Sequence, residues 1–353
     1  MRDLLLVLGT SAGGVGRHVR MLAEGVTATG ASVVVAGPRE AEHDFGFTAV
    51  GARFAPLPIA DRPRPAEDLR TVRELRRLAA GAGVVHAHGL RAGALAGLAG
   101  GPVVVTLHNA LTAGGAVGVV YRVLERVVAR RARHILVVSP DLGERMRRLG
   151  ARRVSPAVVP APLLGAPTKT AAEVRAELGA GERPVLLTLA RLAQQKGLET
   201  LLDAAALPYG TRPLFVVAGD GPLRGALQAR IDAEGLPVTL PGVAAPQDLL
   251  QVAAALVVPS RWEGQPLSVQ EALRAGRPVV ATAVGGLPDM VGDAGLLVPP
   301  DDPRALQREI ARLLEAPGLA AQLSANAAAR RLPTTDDALR AVSETYDTLN
   351  EGK

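Results

Sequence analysis

Short apolar runs alternate with helix-length segments along the whole chain, and that rhythm limits the fold more than any other feature. In the first half the runs are Leu4–Leu8, Ser32–Ala36, Val84–His86, Val103–Thr106, Ile135–Val138 and Ala157–Val159. Helical patterns fit between them near Val15–Ala28, Ala66–Ala79, Leu90–Ala99, Val117–Arg131 and Pro140–Leu149. The second half repeats the rhythm at Val185–Leu189, Leu214–Ala218, Val238–Leu240, Leu256–Val258 and Val279–Ala281. Such alternation is the pattern of parallel sheets covered by helices on both faces. Between the halves, "VPAPLLGAPTKT" is rich in Pro and Gly and reads as a linker. The expected fold class is α/β: two Rossmann-like domains, 1–162 and 163–335, with parallel sheets facing across a cleft. Ligands of such sheets collect beyond the carboxyl ends of the strands.

Composition narrows the chemistry. The 353 residues suffice for two domains, and with 48% apolar but only 2% aromatic residues the core must be Val, Leu and Ala. No Cys is present, which excludes disulfides, thiolate catalysis and Cys-ligated metals. The formal charge of +6 comes almost wholly from Arg, since Lys occurs only at Lys169, Lys196 and Lys353. No basic stripe with interleaved aromatics accompanies it, so nucleic acid is not an expected partner. The apolar stretch Leu4–Leu8 is too short for a signal peptide and no run reaches membrane-span length, so a cytoplasmic location is expected. Peripheral contact at the inner face of the membrane stays open through Val117–Arg131, an amphipathic pattern with Arg122, Arg126, Arg130 and Arg131.

The residues following the strand ends are Gly13-Gly14, His86 and His88, His108-Asn109, Ser139, Arg191, Gly219-Asp220 and Glu263. All six His lie at or before His134, so histidine chemistry belongs to the first domain. His88 and His108 lack both helical spacing and a nearby acid, so no metal site is expected. The spacing Gly14-x-Gly16-x-x-Val19 lacks a third glycine, and Ala36-Gly37-Pro38 supplies no acid for a ribose, which argues against a dinucleotide enzyme.

The richest stretch is Ala255–Pro300. A strand ends at Pro259-Ser260, a loop carries Arg261–Gly264, and Pro266 is placed to open a helix running to about Ala275. Glu263 and Glu271, eight residues apart, can bracket an elongated ligand at the helix start, where free amides around Gly264 meet an anion. Upstream, Arg191 follows a strand and Lys196 precedes a helix, so both cations can converge on a diphosphate. Gly219-Asp220-Gly221-Pro222 forms a further turn suited to an anion or a ribose. Acids together with amides and cations suit a sugar nucleotide.

These strings resemble the signature of the retaining glycosyltransferases of family four, which have the GT-B fold. The resemblance rests on Glu263-Gly264, Glu271-Ala272, Gly276, Pro278–Thr282, Gly285-Gly286, Gly295 and Asp301/Asp302, with "ARLAQQKG" and "GDGP" before them. It implies a nucleoside-diphosphate sugar as donor and a glycan, lipid-linked glycan or small molecule as acceptor, with no cofactor and no essential metal. By the same resemblance Glu271 holds the ribose, while Arg191 and Lys196 stabilise the departing diphosphate. Amides at Gly13, Gly14 and Gln265–Leu267 assist there, Pro266 having no N–H. Glu263 then binds sugar hydroxyls, His108 supports the reacting centre, and Gly219, Asp220 and Gly242 border the nucleotide. Arg17, His18, His88 and Ser139 are the implied acceptor contacts, and residues 336–353 are expected to pack back on the first domain. Two departures stand out: Ala190 where the family has Gly, and Val159-Pro160-Ala161-Pro162 without the family's Asn-Gly turn. An epimerase or phosphorylase on the same fold, or a scaffold that binds nucleotide sugars without catalysis, are the alternatives.

Overall fold

The computed structural model describes residues 3–10, 13–60, 63–110 and 115–349. The chain divides into two compact units, Met1–Pro160 with Pro333–Lys353, and Ala161–Leu332.

In the first unit seven parallel strands form one sheet: β1 (Leu4–Leu8), β2 (Val33–Gly37), β3 (Arg53–Pro56), β4 (Val84–His88), β5 (Val103–Leu107), β6 (His134–Val137) and β7 (Val154–Pro156). Their order is β3-β2-β1-β4-β5-β6-β7. In the second unit six strands form a parallel sheet of order β10-β9-β8-β11-β12-β13: β8 (Val185–Leu189), β9 (Leu214–Ala218), β10 (Val238–Gly242), β11 (Ala253–Val258), β12 (Val279–Thr282) and β13 (Gly295–Val298). Each sheet reverses its winding direction once, at β1/β4 and at β8/β11. In such sheets the reversal opens a crevice above the strand ends, which is where ligands bind. The expected α/β class with two parallel, Rossmann-like sheets holds.

Every residue of β1, β4, β5 and β9 is buried. A strand covered by helices on both faces has no solvated side, so its sequence is a continuous apolar run. In the second unit one cluster, including Leu187, Val216, Val269, Ala272 and Leu273, packs with the helix Leu267–Arg274. A second, including Leu186, Phe215, Leu201 and Ile310, covers the opposite face. In the first unit the helix Thr335–Thr348 packs against the helix Gly14–Thr27, where Leu339 lies over Gly25.

Strand β13 (Gly295–Val298) and the helix Arg39–Phe45 were not expected, and three further elements differ from expectation. The strand expected at Ala157–Val159 lies at Val154–Pro156, because pairing of Ile135 with Val154 sets the register, and Ala157 merely continues the ladder by donating to Val137 O at 2.7 Å. As an edge strand it has one unpaired side and needs no apolar run. Edge strand β3 (Arg53–Pro56) is likewise half exposed and was invisible to an apolar-run criterion. Pro266 is the residue before the helix Leu267–Arg274 rather than its first residue, with ψ at 128°.

Candidate functional site

Above β8 and β11 in the second unit, three loops are tied together. Gln195 Nε2 donates to Trp262 O (2.9 Å), Arg261 N to Gln195 O (2.8 Å), and Gly286 N to Glu263 O (3.0 Å). Gly285, with φ 56°, makes the last contact possible, since a Cβ there would lie 1.9 Å from Glu263 O. Within this frame Glu263 is only 6% exposed. A buried carboxylate must find partners, and Oε1 has two: Lys196 Nζ at 2.6 Å and Ser260 Oγ at 2.7 Å. Lys196 retains about a quarter of its side-chain exposure. An ammonium has three donors, so Lys196 can hold Glu263 and still offer N–H groups outward.

Beside it, Leu192 N→Asp220 O (2.9 Å) joins the β8 and β9 ends, and Gly219 N→Gly242 O (2.8 Å) joins the ends of β9 and β10. Gly219 has φ 140°, and a Cβ would lie 1.9 Å from Ala190 O, so the two strand ends touch through backbone alone. Arg191 and Asp220 are exposed on this edge, and Gly242 is half buried. Gly264 is buried, while Gln265, Pro266 and Leu267 are half buried at the start of the next helix. Farther along that helix Glu271 lines a cavity of about 380 Å³, together with Gln247, Gln251, Arg274 and the linker residue Leu164. The second unit thus gathers Arg191, Lys196, Gly219, Asp220, Gly242 and Glu263 along one sheet edge. Glu271 stands beyond them on the helix.

Histidines form a second cluster, in the first unit. His86 is fully buried, its Nδ1 2.7 Å from Tyr346 Oη and its Nε2 2.7 Å from Thr106 Oγ1. His88 Nδ1 lies 3.2 Å from His108 Nε2. His18 meets both rings edge-on, with centroids 5.7 and 5.6 Å away. Burial, chiefly, pushes His18 down to about 4 and His86 to about 3, with neighbouring imidazoles adding to the shift of His86. His88 and His108 move well below their usual range for the same reasons. The cluster is therefore neutral at pH 7. Arg17 is exposed on its helix, Gly13 caps that helix in a positive-φ conformation, and Gly14 opens it. Ser139 is buried at a helix start, and its Oγ has no partner among the described residues. No group of three or more His, Asp or Glu among the described residues is placed to hold a metal ion.

Two family models match the chain. That for "Glycosyl transferase 4-like domain" covers residues 13–162, and that for "Glycosyl transferases group 1" covers 183–316. The chain belongs to the group 1 glycosyl transferases. Among relatives of this group 1 chain, an alpha-D-kanosaminyltransferase of Streptomyces kanamyceticus is 33% identical over 219 residues, 58% of this chain and 57% of the relative. A D-inositol 3-phosphate glycosyltransferase of Streptomyces avermitilis is 31% identical over 300 residues, 74% of this chain and 64% of the relative. The matches thus span less than two thirds of these relatives' lengths. Of solved structures, Anabaena HepE in complex with UDP and glucose superposes with a TM-score of 0.81, at 20% identity over 98% of this chain and 100% of that one. Sucrose-phosphate synthase of Thermosynechococcus elongatus gives 0.80, at 22% identity over 99% and 100%. At those identities the likeness concerns the GT-B fold.

Three residues of the site escaped the sequence reading. Ser260 holds Glu263, and Gln270, 0% exposed, accepts Ala161 N at 2.9 Å. Arg274 donates to Ala161 O at 2.7 Å. The helix that carries Glu271 thereby also grips the stretch that replaces the family's Asn-Gly turn. Ser260 stands just after the strand before Glu263, but nothing in the sequence says that its hydroxyl turns to Glu263.

Proposed function

We propose that this group 1 protein transfers a hexose-type sugar from a nucleoside-diphosphate sugar to a hydroxyl-bearing acceptor, with retention of anomeric configuration and without an essential metal. The observation that carries this reading is the Lys196–Glu263–Ser260 cluster at the reversal point of the second sheet. A cation with spare donors and an adjacent buried carboxylate suit a diphosphate next to a sugar. The superposable HepE complexes with UDP and with UDP-glucose support the same donor class.

In this reading Arg191 and Lys196 take the charge that grows on the diphosphate as the bond from the anomeric carbon to its oxygen breaks. The acceptor oxygen forms its bond to the anomeric carbon on the same face, and its proton passes to the departing phosphate oxygen. Glu263 holds sugar hydroxyls and Glu271 the ribose hydroxyls. Amides at Gly13, Gly14, Gln265 and Leu267 contribute further donors. His108, neutral at working pH, hydrogen-bonds the transferred sugar, with Arg17, His18, His88 and Ser139 on the acceptor side. Calorimetric titration of UDP-, GDP- and ADP-sugars in the presence of EDTA tests the proposal. One donor is expected to bind, with at least about tenfold loss in Lys196→Ala and Glu271→Ala, equivalent to about 1.4 kcal/mol. Equal binding in both variants sinks the assigned roles. Donor conversion without acceptor identifies an epimerase, dependence on phosphate identifies a phosphorylase, and binding without turnover of any acceptor identifies a scaffold.

The helix Gly115–Arg131 carries a second proposal, docking on an anionic bilayer surface. Val119, Val120 and Val123 are 50%, 39% and 51% exposed beside exposed Arg122, Arg126 and Arg130. The helix's one acid, Glu125, is buried and paired with Arg145 at 2.7 Å, so the outer face is apolar and cationic. Cosedimentation with phosphatidylglycerol vesicles, abolished in Arg122→Glu/Arg126→Glu, is the expected result. No binding by the unaltered protein at low salt refutes it. None of the helices is long and apolar enough to cross a membrane among the described residues.

A further inference from the structure

His88 and His108 face each other through one nitrogen apiece, 3.2 Å apart. Both imidazoles are neutral, so a single proton occupies the gap and one ring donates to the other. Which ring donates follows from the far side of His88, where Nε2 is buried and has no partner among the described residues. An orphaned buried N–H is rarer than an underused lone pair. The His88 proton therefore sits on Nδ1 and points at His108 Nε2, which leaves His108 carrying its own proton on Nδ1.

The ring angle of His88 is set from behind. His86 is pinned at both nitrogens by Tyr346 and Thr106, and its ring lies 4.2 Å from that of His88 between centroids. His18 closes the edge.

We infer that His88 is a positioning residue that holds His108 in the Nδ1–H tautomer, making His108 a fixed neutral donor. The inference rests on the reading that His108 meets the transferred sugar. It adds that His108 acts there by giving a hydrogen bond rather than by taking a proton. Through Tyr346 and His86, the C-terminal helix Thr335–Thr348 supports the same arrangement.

Nitrogen NMR of protein labelled at histidine separates the two tautomers directly. In the unaltered protein His108 is expected to show a protonated Nδ1 and a bare Nε2. His88→Phe keeps a ring but removes the donor, and the tautomer is expected to shift towards Nε2–H. His88→Asn can place a side-chain N–H near the lost Nδ1 and is expected to restore the original state. The signals of the other histidines show whether each variant retains the fold. With UDP-glucose as probe, UDP release is expected to fall about tenfold in kcat in His88→Phe while KM changes less than about twofold, in line with the effect of losing an orienting partner. Recovery in His88→Asn supports positioning over a purely structural role. An Nε2–H tautomer in the unaltered protein, or an unchanged tautomer in His88→Phe, overturns the inference whatever the rate does. A tautomer shift with unchanged kcat keeps the pairing but removes His108 from the reacting centre, which is a failure of the functional reading instead.

Discussion

Lowering the pH from 7 to 5 is expected to weaken the first unit and spare the second. His18 and His86 have folded-state values of about 4 and about 3 against an ordinary 6.5. Above pH 6.5 these groups are neutral in both folded and unfolded chains and contribute no pH dependence. Below it the unfolded chain binds protons that the folded unit refuses, so stability falls until the folded values are reached. Between pH 7 and pH 5 each group costs about 2 kcal/mol by this linkage, about 4 kcal/mol for the pair. His88 and His108 act in the same direction. A typical domain has only about 5–15 kcal/mol to lose. The second unit contains no histidine, and its carboxylates with lowered values, such as Asp248 and Glu173, lose stability only below the ordinary carboxylate range. It therefore serves as an internal reference. Hydrogen exchange at both pH values, corrected for intrinsic rates, should show protection falling in β1, β4 and β5 with little change in β8, β9 and β11. His18→Gln/His86→Gln should reduce the difference, His88 and His108 accounting for the remainder. Equal protection of the two units at pH 5, or an unaltered difference in the double variant, refutes the account.

Three further outcomes are expected. Lys196→Met leaves the buried Glu263 with Ser260 alone, and should lower the stability of the second unit by about 3 kcal/mol, the low end for a broken buried pair because Lys196 is partly exposed; urea unfolding followed at Trp262 measures it. Gly285→Ala forces a Cβ against Glu263 O and should cost more than about 2 kcal/mol in the same assay, whereas Gly225→Ala, in open space on a helix, should be neutral or stabilising. Gln270→Ala removes the acceptor of Ala161 N and should cost about 1–3 kcal/mol, with faster amide exchange at Ala161 as the local sign.

The parallel strands were legible because a strand buried on both faces must be apolar throughout. Val185–Leu189 and Leu214–Ala218 appear at the expected residues for this reason. β3, β7 and β13 were missed or misplaced because edge strands answer to their partner's register rather than to burial. At the site, the loops that bear Lys196 and Glu263 could be placed after strand ends from sequence alone. The expectation treated Lys196 as a cation for phosphate and Glu263 as an acid for sugar, each considered separately. The fold joins them in one ion pair, across 67 positions of chain.

Sequence by itself determined the alternation of strand and helix, the absence of thiol chemistry, the confinement of histidine to the first half and the family signature. Each is local or compositional. Tertiary structure decided which polar groups became partners. Ser260 turns to Glu263, Gln270 and Arg274 hold Ala161, and four histidines from three separate segments meet in one apolar setting. The physical reason is desolvation. An imidazole's charge and a carboxylate's need for donors depend on how much water the surrounding fold removes, and no stretch of sequence records that before the sheets close over it.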